Sequence, residues 1–477
     1  VATISKTNRS GLEAMRILLA VPPELEKLDT HRIGITAPPL GLAWIAATLE
    51  EEGHKVKVMD PATKRISQNR FLLEAKQWRP DIIGLSALTP TIYKAYSISS
   101  KLKEELPDVP IVVGGPHVTY MYREALSTGN IDFVVRGEGE ETFRELVEKF
   151  EKDGKLEDVK GLAFTRNGVV VVTKPREPVN LDQLPTPARH LLSAEYSFLG
   201  RKMRVFHVMA SRGCPYGCIY CCSSYFWGRR VRLRSPEKVV DEIEEGVRGR
   251  TRNVVFTDDE LTIVKPWLIK LTNLIRERGL DIIYACGSRV DHVDREVLRA
   301  LRLSGCKTVY YGVESADQRT IDKIGKKTKV HQAKKAFSLT KEEGIDPVGS
   351  FILGFPWETL DDMMRTISFA IHLKPVYAQF TLATPYPGTP LRSLAQKYGL
   401  LVDNNWEHYT TLRAVMKGFN FSIREAQKML TTAYKMFYSR INFIFDQIRR
   451  KRFGLVARVV PKILPWFLGR YNSSDPG

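Results

Sequence analysis

Short apolar runs alternate with amphipathic stretches along most of this chain. That alternation restricts the fold to parallel sheets covered by helices. "RILLAV", "KVKVMD", "DIIGLSA", "VPIVVGG" and "IDFVVRG" read as strands, separated by helical patterns such as "GLAWIAATLEEEG" and "EETFRELVEKFEKDG". They predict a doubly wound, Rossmann-like α/β domain over 15–154, with ligands at the carboxyl ends of its strands. A connector follows over 155–200. It holds a hairpin, "GLAFTRNGVVVVTK", turning at Asn167-Gly168, and then a proline-rich stretch. A second series of strands runs through "RVFHVMAS", "NVVFTDD", "DIIYACG", "KTVYYGVES", "PVGSFILGF" and "VYAQFTLATPYP". It predicts a partial (β/α)6 barrel over 201–393, again with its chemistry at the strand C-termini. The remainder, 394–477, reads as helical and basic.

At 477 residues the chain has room for two or three cores. Hydrophobic and charged contents of 43% and 26% are those of a globular protein. Six cysteines are too few for a disulfide scaffold, and their clustering points to a reducing, cytoplasmic setting. No apolar run is long enough to span a bilayer. Val1 to Ala14 reads as an extension ahead of the first strand.

Four of those cysteines fall in "SRGCPYGCIYCCSS", from Ser211 to Ser224. Cys214, Cys218 and Cys221 have the spacing C-x3-C-x2-C, and Cys222, adjacent to Cys221, is poorly placed to share one ion with it. A structural zinc site normally takes four protein ligands. Three thiolates suit a four-iron cluster that keeps one iron open to a small molecule. The alternative is zinc with Cys286 or Cys306 as a distant fourth ligand. Both lie on strand-like stretches and read more simply as buried core thiols.

The segment "CPYGCIYC" resembles the cluster loop of the radical S-adenosylmethionine (SAM) superfamily, and later segments agree with that resemblance in order. It implies a [4Fe-4S] cluster on Cys214, Cys218 and Cys221, with SAM on the open iron. "FTDDELT" resembles the loop that receives the methionyl amino group, which nominates Asp258 and Asp259; the plain alternative is that they cap a helix. "GSRVD" nominates Arg289 for the SAM carboxylate, and "YGVES" nominates Glu314 for its ribose. Tyr220 and Ile352, the latter in "GSFILGFPWET", are expected at the adenine, with Thr384 of "TPYPGTPL" at the sixth strand end.

In this superfamily a doubly wound domain ahead of the barrel implies cobalamin. "GLSALTPTIYKA", "VVGGPHVTY" and "VVRGEGEETF" resemble its ligand-facing loops. Gly114 and Gly115 would allow close backbone approach, and Ser86 and Thr89 would offer hydroxyls. Gly137 and Glu138 would line the next turn, where Glu138, Glu140 and Glu141 suit amide or hydroxyl donors rather than phosphate. The family's D-x-H-x-x-G signature is absent: "DPATKR" at Asp60 has no histidine, and His117 reads as an ordinary loop histidine.

The formal charge is +18, and the region from Lys435 to Arg470 mixes cations with aromatics. Its tail, with Trp466 and Phe467 beyond "RRKR", reads as a membrane-interface segment. The helices before residue 450 read instead as a cover for the open side of the barrel. No nucleic-acid module accompanies the charge. "DNNWEHYTT" resembles a segment of cobalamin-dependent relatives that act on hydrophobic substrates, including hopanoid methylases and tetraether-lipid ring synthases. Together these features predict a radical SAM enzyme acting on a lipid or isoprenoid, by C-methylation or ring closure, with a ferredoxin or flavodoxin as electron donor. The rivals are a non-catalytic cobalamin or iron–sulfur sensor, and a sulfur-inserting enzyme, which would need further cysteines for a second cluster.

Overall fold

The computed structural model describes residues 14–23, 37–64, 66–193, 195–198, 201–440 and 443. The expected N-terminal extension up to Glu13, and the basic tail beyond Phe443, lie outside the described residues.

In the first domain the strand Arg16–Ala20 lies between Lys55–Met59 and Ile82–Ser86, all parallel. Ile111–Gly114 and Phe133–Val135 extend the sheet on the side of Ile82–Ser86. The chain therefore steps one way from its first strand and later the other way. This reversal leaves a crevice at the strand carboxyl ends. Helix Leu40–Glu51 and helix Glu140–Glu151 close one face, burying Leu42, Ala46 and Leu49 together with Phe143, Leu146 and Val147.

The hairpin Leu162–Arg166 and Val169–Val172 turns where the sequence places it. Asn167 (φ 49°) and Gly168 (φ 75°) both adopt the left-handed backbone that a two-residue turn requires. The hairpin is more than a connector, however. It pairs antiparallel with Phe133–Val135 and completes the first sheet. Phe133, Val134 and Val135 are all buried and need a partner strand on that side.

The second sheet contains six parallel strands in sequence order: Phe206–Val208, Asn253–Phe256, Ile283–Arg289, Cys306–Glu314, Asp346–Leu353 and Tyr377–Leu382. This is the expected partial barrel. Cys286 and Cys306 lie in its core at 1% exposure. Helix Ile423–Tyr438 covers the last strand as expected. Tyr434 and Tyr438, four residues apart on one helix face, donate to the carbonyls of Phe380 (2.9 Å) and Ala378 (2.8 Å). They also accept from the N–H groups of the same two residues. An exposed edge would template unwanted strand pairing, and here two phenols satisfy it.

The segment before this helix pins the two domains together. Trp406 and Tyr409 are buried in the core of the first domain. The Trp406 indole donates to Glu124 at 3.0 Å and meets the His117 ring edge-on, 4.9 Å between centroids. His117 is therefore no ordinary loop residue. It sits in the first turn of helix Pro116–Ser127 at 1% exposure, its Nδ1 3.2 Å from the Thr89 hydroxyl. Among the described residues no helix is long and apolar enough to cross a membrane.

Candidate active site

The cluster loop leaves the first barrel strand through Ser211–Arg212, which pairs antiparallel with Arg232–Leu233. Gly213 turns at φ 92°; any Cβ there would strike the Arg230 carbonyl. Downstream the loop is clamped on two sides. The Ile219 N–H donates to the Ile324 carbonyl (3.0 Å), and the Ile219 carbonyl accepts from Leu391 N–H (2.9 Å). The helical segments that follow the fourth and sixth barrel strands, Gln318–Lys323 and Pro390–Lys397, therefore both fix it.

Cys214, Cys218 and Cys221 are free thiols. Burial raises the pKa of Cys214 and pushes Cys218 up to about 11, and the Cys221 thiol adds to both shifts. A bound cation would reverse this and hold Cys214 and Cys218 as thiolates. Among the described residues no three His, Cys, Asp or Glu side chains converge on a single-ion site. A cluster spreads its cysteines over separate irons, so this cysteine loop fits a cluster better than one zinc ion. Cys222 opens helix Cys222–Phe226, with its thiol pushed to about 12 by burial.

Charged side chains, most of them buried, surround the loop. Asp258 accepts from Ser211 Oγ (2.5 Å) and Ala210 N–H (3.2 Å), bracing the entry to the loop. Burial raises it to about 6, against the pull of those donors. Asp259 accepts from Ser223 Oγ, just beyond Cys221. Both aspartates thus brace the loop. Arg289 makes a two-bond fork to Asp291 (3.0 and 2.9 Å), donates to the Lys326 carbonyl (2.8 Å) and lies 3.6 Å over the Tyr216 ring. Glu314 pairs with Lys326 at 2.6 Å, both buried, and holds φ 68° at a register shift in its strand. Strain of this kind costs about 1–3 kcal/mol and collects at functional sites.

The residues expected at the adenine do come together. The Tyr220 ring lies 5.7 Å from Phe355, and Ile352 shares a buried cluster with Phe355, Ala383 and Leu391. Burial, followed by the Glu314 carboxylate, raises the Tyr220 phenol far above its ordinary value. Thr384, just past the sixth strand, donates its hydroxyl to the Leu382 carbonyl at 3.0 Å. Sequence reasoning missed Glu358. Its carboxylate accepts from Gly354 N–H and Phe355 N–H, both 2.9 Å, and from Ser315 Oγ at 3.4 Å. It ties the fifth strand end to the fourth, and burial raises it to about 8. An acid directly before the helix cap Thr359 was the available signal.

The second feature is a cleft of about 230 Å³ at the carboxyl ends of the first sheet. Five of the six residues expected at cobalamin line it: Ser86, Gly114, Gly115, Gly137 and Glu138. The exception is Thr89, buried and turned to His117. Gly115 holds φ 112°, and a Cβ would stand 2.5 Å from the Ala87 carbonyl. At Gly137 a Cβ would meet nothing within 4 Å, so its absence leaves the floor open. The opposite wall belongs to the second domain: Met209, Arg212, Phe226 and Trp227. This backbone-lined, aromatic-walled cradle fits the edge of a large neutral ring system; its volume is below that of a whole drug-sized ligand site.

Arg212 joins the two features. It donates to Glu138 (2.9 Å) and Glu140 (2.6 Å), between the rings of Trp44 and Trp227. Arg232 also pairs with Glu138. The donors that Glu138 meets are thus the protein's own arginines, because a carboxylate this deeply buried needs them. Arg212 stands two residues before Cys214, so cleft and cluster loop share one wall.

Comparison with known proteins agrees with this architecture. Residues 27–147 match the B12 binding domain model and 208–370 the radical SAM superfamily model. An uncharacterized methyltransferase of Pyrococcus horikoshii is 38% identical over 461 residues, covering 95% of this chain and 99% of the relative. The anaerobic magnesium-protoporphyrin IX monomethyl ester cyclase of Rubrivivax gelatinosus is 32% identical, covering 87% and 77%. Among solved structures, the radical SAM methyltransferase TsrM of Kitasatospora setae superposes with a TM-score of 0.69 at 19% identity, covering 87% of this chain and 81% of that one. The chain therefore belongs to the cobalamin-binding radical SAM enzymes, whose cofactors are a [4Fe-4S] cluster, SAM and cobalamin.

Proposed function

We propose that this enzyme methylates an unactivated carbon of a hydrophobic lipid or isoprenoid substrate after hydrogen abstraction. The observation that carries the reading is the wall shared through Arg212: it sets the cleft of the first domain directly beside the cluster loop of the second. A substrate carbon between the two would face both cofactors. When bound, the cofactors supply a 5′-deoxyadenosyl radical and a transferable methyl group.

The chain's own residues account for positioning. Cys214, Cys218 and Cys221 would hold the cluster, and Asp258 and Asp259 fix the loop that carries them. Tyr220, Ile352 and Phe355 form the apolar seat for adenine. Trp44, Phe226, Trp227 and Met209 give the cleft an apolar wall that excludes water from a reactive site. No acid–base side chain could remove a hydrogen from a saturated carbon at neutral pH. The fold accordingly concentrates on orientation and exclusion. The hydrophobic substrate class draws on that wall and on the basic, aromatic tail read from the sequence, which would sit at a membrane surface.

Ring formation is the second reading, favoured by the 32% identity to a cyclase. Mass spectrometry of lipid extracts from a host expressing this chain, beside Cys218→Ala, separates the two. A species heavier by one methylene and absent in the mutant supports methylation; one lighter by two hydrogens supports ring closure. An unchanged extract, in a host supplying cobalamin and candidate lipids, removes the lipid assignment.

A further inference from the structure

The first turn of helix Pro116–Ser127 gathers the loops that floor the cleft. Gly115 caps the helix, and Ala87 N–H donates to the Gly114 carbonyl at 3.1 Å. The Thr119 hydroxyl donates to the Gly115 carbonyl at 2.9 Å and accepts from Gly137 N–H at 3.0 Å. His117 completes the set, its Nδ1 on the hydroxyl of Thr89, two residues beyond Ala87. Further along the helix, Glu124 accepts from the Trp406 indole (3.0 and 3.2 Å) and from the Tyr96 hydroxyl (3.2 Å). It faces His117 Nε2 at 3.9 Å, too far for a hydrogen bond, and the Trp406 ring packed edge-on against the imidazole keeps that gap dry. An ionised carboxylate only accepts, so the tautomer that suits both neighbours carries its proton on Nε2 and accepts the Thr89 hydroxyl at Nδ1.

From Trp406 the contacts lead on to the cluster loop. Arg392 lies over the indole, 4.5 Å from the ring centroid. Its neighbour Leu391 donates its N–H to the carbonyl of Ile219, which stands between Cys218 and Cys221. A short series of packed groups therefore joins the cluster loop to the floor of the cleft. The helix backbone alone does not complete it. Met121 departs from helical values (φ −110°, ψ 30°) between His117 and Glu124. The imidazole bridges that break from the side, touching the cleft loops at one nitrogen and facing the Glu124–Trp406 pair with the other.

We propose that His117 is a positioning residue that sets the separation between cobalamin and the cluster, by holding the cleft floor to the docked Trp406 segment of the second domain. The inference rests on the cleft taking cobalamin. Chemistry at a carbon placed between two cofactors tolerates little error, and a displacement of about 1 Å can cost about 100-fold in rate. A buried side chain with one partner in each domain fixes such a distance better than a mobile surface contact, because close-packed interiors transmit displacement. Thr89, expected at cobalamin, acts instead on the far side of this joint, through His117.

The test uses the reconstituted holoenzyme with cob(II)alamin and a reduced cluster, both paramagnetic. Pulsed electron paramagnetic resonance reads the coupling between them, and hence their separation. The wild type should give one narrow distribution. His117→Ala should broaden or shift it, and cobalamin affinity, measured by equilibrium dialysis, should weaken ~10-fold. His117→Asn, whose amide still reaches Thr89, should recover most of the affinity but not the narrow separation. Trp406→Phe keeps a ring and loses the donor to Glu124; it should broaden the separation with a smaller loss of affinity. Iron and sulfide content should stay at the wild-type level in all three. An unchanged separation in both His117→Ala and Trp406→Phe overturns the assignment. So does loss of the cluster in step with cobalamin, which would make His117 a residue of general stability only. A wild-type enzyme that retains no cobalamin overturns the reading of the cleft itself, and the positioning proposal with it.

Discussion

The two halves of the active site are built from different materials. The cleft of the first domain is floored by backbone, with Gly114, Gly115 and Gly137 leaving space where side chains would stand. The crown of the barrel is built from buried ionisable groups: Asp258, Arg289 with Asp291, Glu314 with Lys326, and Glu358 on two backbone N–H groups. A large neutral ring is held by shape and scattered hydrogen bonds, whereas a zwitterionic sulfonium ligand beside a cluster demands placed charge. Arg212 belongs to both, as a cation in the cleft wall paired with Glu138 and Glu140.

The largest effect should come from the crown. Cys218→Ala should abolish cluster absorbance and 5′-deoxyadenosine formation while cobalamin still binds. Simultaneous loss of both cofactors would show that the halves are not separable. Next is the shared wall. Arg212→Met leaves Glu138 and Glu140 short of a cation, and breaking a buried pair in this way costs about 3–5 kcal/mol. Denaturant unfolding should show that loss, and both cofactors should be retained less well. In the cleft, Gly115→Ala forces a side chain into a left-handed position against the Ala87 carbonyl, at about 1–3 kcal/mol. Equilibrium dialysis should show weakened cobalamin binding, with cluster content unchanged.

A last test sharpens the comparison through pH. Burial raises Glu358 to about 8, from a reference of 4.5. Between those values the folded state binds more protons than the unfolded state, so this group makes stability fall as pH rises through the interval. Glu358→Gln removes that contribution. Its melting temperature should decline less than the wild type between pH 5 and 8, and the two should diverge most near pH 8. Parallel curves would mean that the carboxylate is ionised throughout. A neutral substitution in the cleft, such as Ser86→Ala, should leave the pH profile unchanged.

Much of this was legible without coordinates. Parallel strands buried on both faces must be continuous apolar runs, and helices between them must be amphipathic, so the strands of both sheets follow from period alone. The Asn167-Gly168 turn was readable because few residue pairs tolerate two left-handed conformations in succession. The cysteine loop was readable because its ligands are close in the chain. Tertiary structure decided whatever depends on partners far apart in sequence. That the hairpin joins the first sheet depends on an unpaired strand nearly thirty residues earlier. His117 is a buried helical residue because Trp406 docks on it from the far end of the barrel. Thr89 turns from the cleft to His117, and Glu138 is claimed by Arg212 and Arg232. Local pattern encodes which face of an element is buried; which charge meets which charge is set by packing, because a buried ion must find its counterion wherever the fold has placed one.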